Sequence, residues 1–324
     1  MTRETAGPNR SIVERIQARA IAGGWCRPPL RVLMYNNFGP PATTPTPSST
    51  LLSIFSLGTK EPAVVAKLCR DVGTVEQEFE NLRFIQERAP GLSPEPLFFE
   101  TIDSLGALGM RALPGRRLFS WSDRAVSLPR VVERLVSFHR GVQTAFIPKD
   151  DVLGIFRESF DAVGKFGRDT KVEATLSQMG EGMKNLLSGV SLPRIPQHSD
   201  FCFENLLFEG EKVSVVDWED FGAVSMPGYD LFCLYLNFFR PEDDRGMQNL
   251  LRDERLVRRM RRGIELYFQT FELPIDIARG IFNFTVTEQF LRSHRLRRSS
   301  TEMFWRRLAG YAEAPERFSR LLDG

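Results

Sequence analysis

Hydrophobic and polar positions change their spacing several times along the chain, and each change marks an element. Residues 9–23 (NRSIVERIQARAIAG) read as a short helix, with Ser11 as N-cap and Glu14 three residues later completing a capping box. Residues 30–38 (LRVLMYNNF) read as a strand. The following GPPATTPTPSST (39–50) is rich in Pro, Thr and Ser and predicts a loop. Two apolar, β-branched runs, LLSIFSL (51–57) and PAVVAKLC (62–69), flank GTKE and predict an antiparallel hairpin rather than a βαβ unit. From Thr74 the period lengthens: Val75, Phe79, Leu82 and Ile85 recur at helical spacing, and the helix stops before Pro90. Strands are expected at 97–101 and 107–110, and Pro114-Gly115 breaks the chain. Beyond Arg116 the helical period dominates, with an amphipathic helix over 130–142, two more within 153–190, and helices from 228 to the end. One exception, LLFEGEKVSVVDW (206–218), reads as a small hairpin.

The pattern predicts an α+β architecture: a sheet-rich N-terminal lobe over 1–110 and a helical lobe over 111–324, with Met110 to Gly115 as connector. Composition adds exclusions. With 42% hydrophobic and 26% charged residues in 324, the chain is a folded protein rather than a disordered one. Its 43 basic residues against 41 acidic ones do not suggest a dedicated nucleic-acid binder. No apolar run approaches the ~20 residues that span a bilayer, and the N-terminus carries no apolar signal region, so a cytoplasmic protein is expected. Cys26, Cys69, Cys202 and Cys233 form no CxxC pair, which fits a reducing compartment. Neither GxGxxG nor GxxxxGK[ST] occurs, so the reading finds no Rossmann fingerprint or Walker loop.

The most informative stretch is Gln197-His198-Ser199-Asp200-Phe201-Cys202-Phe203-Glu204-Asn205, followed by Val215-Val216-Asp217-Trp218-Glu219. It holds an Asp, an Asn five residues later, and a second Asp at the end of a short hydrophobic strand. Phosphoryl transfer asks for this set: a group that orients an acceptor hydroxyl and takes its proton, and hard oxygen ligands that hold Mg²⁺ on the phosphate oxygens. Asp200 suits the first role, Asn205 and Asp217 the second. Upstream, Lys67 ends a strand run, and a lysine there can meet phosphates as a point charge. Glu78 has Leu82 and Ile85 on its own helix face, where a carboxylate needs a partner; Glu76 and Glu80 are expected in solvent.

This stretch resembles the catalytic segment of the aminoglycoside phosphotransferase / choline kinase family of small-molecule kinases, His-Gly-Asp-x-x-x-x-Asn and then a strand ending Ile-Asp-Trp/Phe-Glu. The resemblance implies a bilobal protein-kinase-like fold with Asp200 as catalytic base, Asn205 and Asp217 as Mg²⁺ ligands, and His198 as a structural member of the loop. It implies ATP or GTP as donor, with Lys67, paired to Glu78, on the α- and β-phosphates. Backbone at Arg111, Ala112 and Leu113 would meet the adenine. His139 in a helix ending Leu-Val-Ser-Phe-His would be a core histidine, and Asp230 would brace the catalytic loop. The resemblance runs from about residue 30 to 235, with two departures: Ser199 stands where the family has Gly, and the phosphate-covering loop falls on the Pro-rich 39–50.

The expected reaction moves the γ-phosphoryl group to a hydroxyl of a small metabolite or antibiotic. Thirteen arginines against seven acids between residues 250 and 310 favour an anionic acceptor over a polycationic one. Phe282, Phe284, Phe290 and Phe304 are read as core. Only twelve residues separate Asp217 from Asp230, which leaves little room for a protein-kinase activation segment. The alternative is a catalytically silent, kinase-shaped nucleotide-binding or scaffold protein. No membrane and no specific nucleic-acid partner is expected, and the oligomeric state is not set by the sequence.

Overall fold

The computed structural model describes residues 10–37, 49–164, 172, 174–175, 177–180, 182, 190–238, 253–296 and 301–322. Most of the Pro-rich 39–50 loop, and most of the second helix expected within 153–190, lie outside these residues. The chain divides into two compact units, Met1–Arg116 with Leu206–Asp220, and Arg117–Asn205 with Phe221–Gly324.

The first unit is built on an antiparallel five-stranded sheet of β1 (Leu30–Asn37), β2 (Ser49–Ser56), β3 (Val64–Cys69), β4 (Pro96–Ile102) and β5 (Leu105–Arg111), in the order β1-β2-β3-β5-β4. Strand alternation decides what faces what. Val64, Ala66 and Leu68 join Leu52, Ile54 and Ala107 in a core with Ile12, Ile16 and Ala20 of helix α1 (Arg10–Ala22). Lys67 lies between Ala66 and Leu68 and therefore emerges on the opposite sheet face, toward α2 (Val72–Arg88). Helix α2 starts two residues before the expected Thr74. Asp71 caps it by accepting from the Thr74 amide at 3.2 Å, and that cap carries Val72 and Gly73, weak helix formers, into the first turn. Ser11 falls inside α1 rather than ahead of it, so it is not the N-cap that its spacing to Glu14 predicts. Strands β4 and β5 are longer than expected and meet at a two-residue turn, Asp103-Ser104, with φ of 47° and 67°. Such a turn matches the right-handed strand twist without a glycine to announce it.

The hairpin of β8 (Leu206–Glu209) and β9 (Lys212–Val215) appears where the sequence predicts, but it belongs with this sheet unit and not with the helices that flank it in sequence. Arg116 and Phe208 exchange backbone hydrogen bonds of 3.0 and 2.9 Å, and the Val215 amide donates to the Leu92 carbonyl at 2.7 Å. Gly115 makes the approach possible: its φ is +111°, and a Cβ there would lie 2.8 Å from the Phe208 carbonyl oxygen.

The second unit contains α3 (Trp121–Val142), α4 (Lys149–Gly164), α5 (Tyr229–Phe238), α6 (Glu254–Thr270), α7 (Ala278–Arg295) and α8 (Thr301–Glu313). A two-stranded sheet, β6 (Ala145–Ile147) with β7 (Leu192–Arg194), joins them; its three-residue strands carry too little pattern to be anticipated. Helix α7 is buried at every position from Gly280 to Ser293, packed against α4, α5 and α8. Phe282, Phe284 and Phe290 are core as expected, and Phe304 is half-buried. No helix among the described residues is long and apolar enough to cross a membrane.

Helix α3 begins at Trp121, nine residues before the expected 130, because Ser120 caps it and Pro129 is tolerated inside. A proline lacks the N–H that would bond the carbonyl four residues earlier. Here that carbonyl, Ala125 O, accepts from Arg259 Nη1 of α6 at 3.0 Å. Arg259→Met is expected to cost about 1–2 kcal/mol in denaturant unfolding. In a Pro129→Ala background, where the helix can supply its own donor, the cost should shrink. Strictly additive effects in the double-mutant cycle would show that the guanidinium does not stand in for the missing N–H.

Candidate active site

In the first unit, one ammonium gathers three carboxylates. Lys67 Nζ lies 2.7 Å from Glu78 Oε2, 2.8 Å from Glu219 Oε2 and 3.7 Å from Asp217 Oδ1. Lys67 and Glu78 are buried, whereas Asp217 is exposed and Glu219 half-buried. Burial alone would lower the Lys67 pKa, but the charges of Glu78, Asp217 and Glu219 outweigh it and hold the ammonium above its usual range. Burial pushes the Glu78 carboxyl up, and Lys67, shared with two other acids, pulls it back only in part. Glu76 and Glu80 are exposed on α2, as expected.

The segment after β9 is anchored from within the same unit. Trp218 is fully buried and donates its indole N–H to the Val215 carbonyl at 2.8 Å, while its own carbonyl accepts from Asn81 Nδ2 of α2 at 2.9 Å. Asp217 beside it has φ of +68°, a left-handed conformation that a non-glycine residue adopts at a cost of about 1–2 kcal/mol. Strain of this kind persists where the surroundings over-determine it.

In the second unit, the loop 197–205 is held by a buried carboxylate. Asp230, at the start of α5, accepts the His198 amide at 2.6 Å and the Ser199 amide at 2.9 Å, and its own amide donates to Gln197 Oε1 at 3.0 Å. His139 Nε2 of α3 lies 3.2 Å from Asp230, and His139 Nδ1 lies 2.7 Å from the Tyr267 hydroxyl. Both His139 and Asp230 are fully buried, and the brace combines groups from three helices. His198 is buried too, and its Nδ1 accepts the Asp200 amide at 3.3 Å. Asn205 Nδ2 donates to the Asp200 carbonyl at 3.0 Å and to Asp200 Oδ2 at 3.1 Å. That turns the Asn205 amide oxygen away from Asp200. Asp200 itself is half-buried.

Arg111 ends β5, with Leu113 two residues on. The Arg111 amide donates to Glu95 O at 2.8 Å and the Ala112 amide to Ala63 O at 3.1 Å. Both donors therefore serve the sheet, and Pro114 has none to offer.

A profile of the phosphotransferase enzyme family matches residues 48–266, a span that includes the Lys67 cluster and the Asp200 loop. The chain belongs to that family. No curated protein matches it. Among solved structures, a mutant aminoglycoside 2'-phosphotransferase-IIIa in complex with GDP is similar over 95% of this chain and 99% of its own, at 11% identity and a TM-score of 0.57. Aminoglycoside phosphotransferase APH(4)-Ia is similar over 94% and 99%, at 16% identity and a TM-score of 0.56. A glucosamine kinase in complex with glucosamine, ADP and inorganic phosphate is similar over 88% and 82%, at 13% identity and a TM-score of 0.53. At these identities the likeness concerns the fold.

Ser199 occupies a phosphotransferase position where the resemblance calls for glycine, and its backbone explains why: φ is +73°. The serine is accommodated because its hydroxyl bridges the Gln197 carbonyl and the Val224 amide, both at 3.3 Å. Three participants carried little sequence signal. Glu219 stands inside the motif already read, yet its partner Lys67 lies 152 residues away. Gln197, the first residue of the loop, meets the Asp230 amide, and Arg292 meets the Ser199 carbonyl, through contacts that no local spacing reveals. Several arginines of the 250–310 span have protein partners. Arg258, Arg295 and Arg306 pair within their helices, and Arg259, Arg279, Arg292 and Arg307 bond protein groups elsewhere in the unit. Arg252, Arg297 and Arg298 lie outside the described residues.

Proposed function

We propose that this phosphotransferase-family protein moves the γ-phosphoryl group of ATP or GTP to a hydroxyl of a small molecule. The observation that carries the reading is the buried Lys67–Glu78 pair with Asp217 beside it, in a chain of this family. Lys67 meets the α- and β-phosphates as a point charge, oriented by Glu78. Arg111 and Leu113 offer the base a backbone carbonyl and a backbone N–H. Asn205 contributes its amide oxygen and Asp217 its carboxylate, a hard-oxygen set that suits Mg²⁺. When bound, Mg²⁺ supplies charge neutralisation on the phosphate oxygens.

Asp200 holds the acceptor hydroxyl through the carboxylate oxygen that Asn205 does not engage, and takes its proton as the acceptor oxygen bonds to phosphorus. The bond from the γ-phosphorus to the bridging oxygen breaks, and the nucleoside diphosphate leaves with that electron pair. Catalysis is mostly positioning and electrostatics, as expected for phosphoryl transfer.

Mg-ATP and Mg-GTP should each be titrated into the protein in a thermal unfolding assay. Expected is a saturable rise in Tm for at least one, equivalent to about 2.7 kcal/mol at a hundredfold excess over Kd, and lost when EDTA removes the metal. No shift at millimolar nucleotide would favour a catalytically silent module. A screen of alcohol-, amine- and sugar-bearing compounds, anionic ones included, for stimulated ADP release would then name the acceptor class.

A further inference from the structure

The peptide that links Ser199 to Asp200 is gripped at both ends. Its N–H, on Asp200, donates to His198 Nδ1 at 3.3 Å. Its carbonyl, on Ser199, accepts from Arg292 Nη1 at 2.8 Å. Arg292 sits on α7, the helix buried along its central turns, and is itself only 8% exposed. Its guanidinium also lies near the Tyr229 hydroxyl and the Glu288 carboxylate. Glu288 in turn meets Ser159 Oγ at 3.1 Å and Arg295 Nη2 at 2.9 Å.

We propose that Arg292 is a positioning residue for Asp200, fixing the plane of the Ser199–Asp200 peptide and with it the direction of the Asp200 carboxylate. The inference rests on the proposed function and deepens it. Ser199 is in the left-handed region, where a non-glycine residue is strained, so the loop has a standing tendency to relax by rotating this peptide. Within the loop, Asp230 accepts the amides of His198 and Ser199, which precede this peptide. A charged donor on the Ser199 carbonyl opposes the remaining rotation, and a desolvated cation does so more strongly than a neutral donor would. If Arg292 merely filled the interior, its loss would lower stability without separating turnover from nucleotide affinity.

The test compares wild type, Asp200→Asn, Arg292→Met and Arg292→Lys as full chains, with Mg-ATP as the probe and water as the acceptor, so that ADP release reads transfer of the γ-phosphoryl group to water. ADP release, Mg-ATP Kd and hydrogen exchange of the 197–205 and 229–238 segments are measured. Arg292→Met should lower turnover tenfold or more with Kd within twofold. Exchange should rise in 197–205 and not in 229–238, and Arg292→Lys, which keeps a charged donor, should recover most of the turnover. Unchanged turnover, a parallel loss of turnover and affinity, or unchanged exchange in 197–205 would each overturn the proposal. Should Arg292→Met fail to fold, Arg292→Lys decides: intermediate turnover at unchanged Kd supports positioning, and a change in Kd alone refutes it. If wild type releases no more ADP than Asp200→Asn, transfer to water does not run through Asp200 and the exchange data alone decide whether Arg292 fixes the loop; it is the absence of a Mg-nucleotide-dependent rise in Tm that overturns the proposed function.

Discussion

Asp200→Asn lowers nucleotide turnover by about 10²–10⁴-fold and leaves the fold intact. The replacement amide has nearly the same shape, and its oxygen can still accept from Asn205 Nδ2, as Asp200 Oδ2 does at 3.1 Å. The main-chain bonds from Asp200 to His198 and Asn205 are untouched. What is lost is the carboxylate that accepts the hydroxyl proton during transfer. Lys67 and Glu78 are unaltered, so the Mg-ATP-dependent rise in Tm should persist while ADP release collapses. Turnover at the wild-type level in Asp200→Asn would remove Asp200 from the chemistry, whatever the thermal data show.

Lys67→Met damages both stability and nucleotide binding. It leaves the carboxylates of Glu78, Asp217 and Glu219 facing one another without the ammonium that now lies within 2.7 to 3.7 Å of each. Breaking a buried pair by removing one partner costs about 3–5 kcal/mol, because the other charge stays buried and uncompensated. The loss should depend on pH. Burial already raises the Glu78 pKa, and removing the Lys67 charge raises it further. A carboxyl with a raised folded-state pKa contributes stability that is fully present below its unfolded value, about 4.3, and is lost as pH rises through the folded value. The deficit of Lys67→Met relative to wild type should therefore be smallest near the acid end and grow toward pH 8. Denaturant unfolding at pH 5 and pH 8 measures it. A second change, Glu78→Gln, should recover part of the deficit at pH 8 by removing the stranded charge. A deficit independent of pH would mean that Glu78 is not the group left uncompensated.

Much of the candidate chemistry was legible because it is written in short-range pattern. Lys67 follows from a β-branched run and Glu78 from its place beside Leu82 and Ile85, eleven residues on, where a strand passes directly into a helix. Asp200 and Asn205 are five residues apart, within reach of one turn, and their hydrogen bonds are local. The α2 start and the β4–β5 turn were blurred for the opposite reason: Asp71 and Asp103-Ser104 do with side-chain caps and left-handed backbone what glycine more visibly signals.

Local periodicity by itself determined the antiparallel strands, the helix between them, the later helices and the acidic–amide motif, since side-chain alternation and the helical repeat act over a few residues. Only the tertiary structure decided that the 206–220 hairpin joins the N-terminal sheet, that Glu219 shares Lys67, and that three arginines which look like surface charge serve as internal donors. Arg259 replaces the N–H missing at Pro129, Arg292 holds the Ser199 carbonyl, and Arg307 bonds Gln289. Those contacts span 18 to 152 residues of chain. They exist because a carbonyl or carboxylate stripped of water must find a partner wherever packing brings one, and that requirement leaves no periodic trace in the sequence.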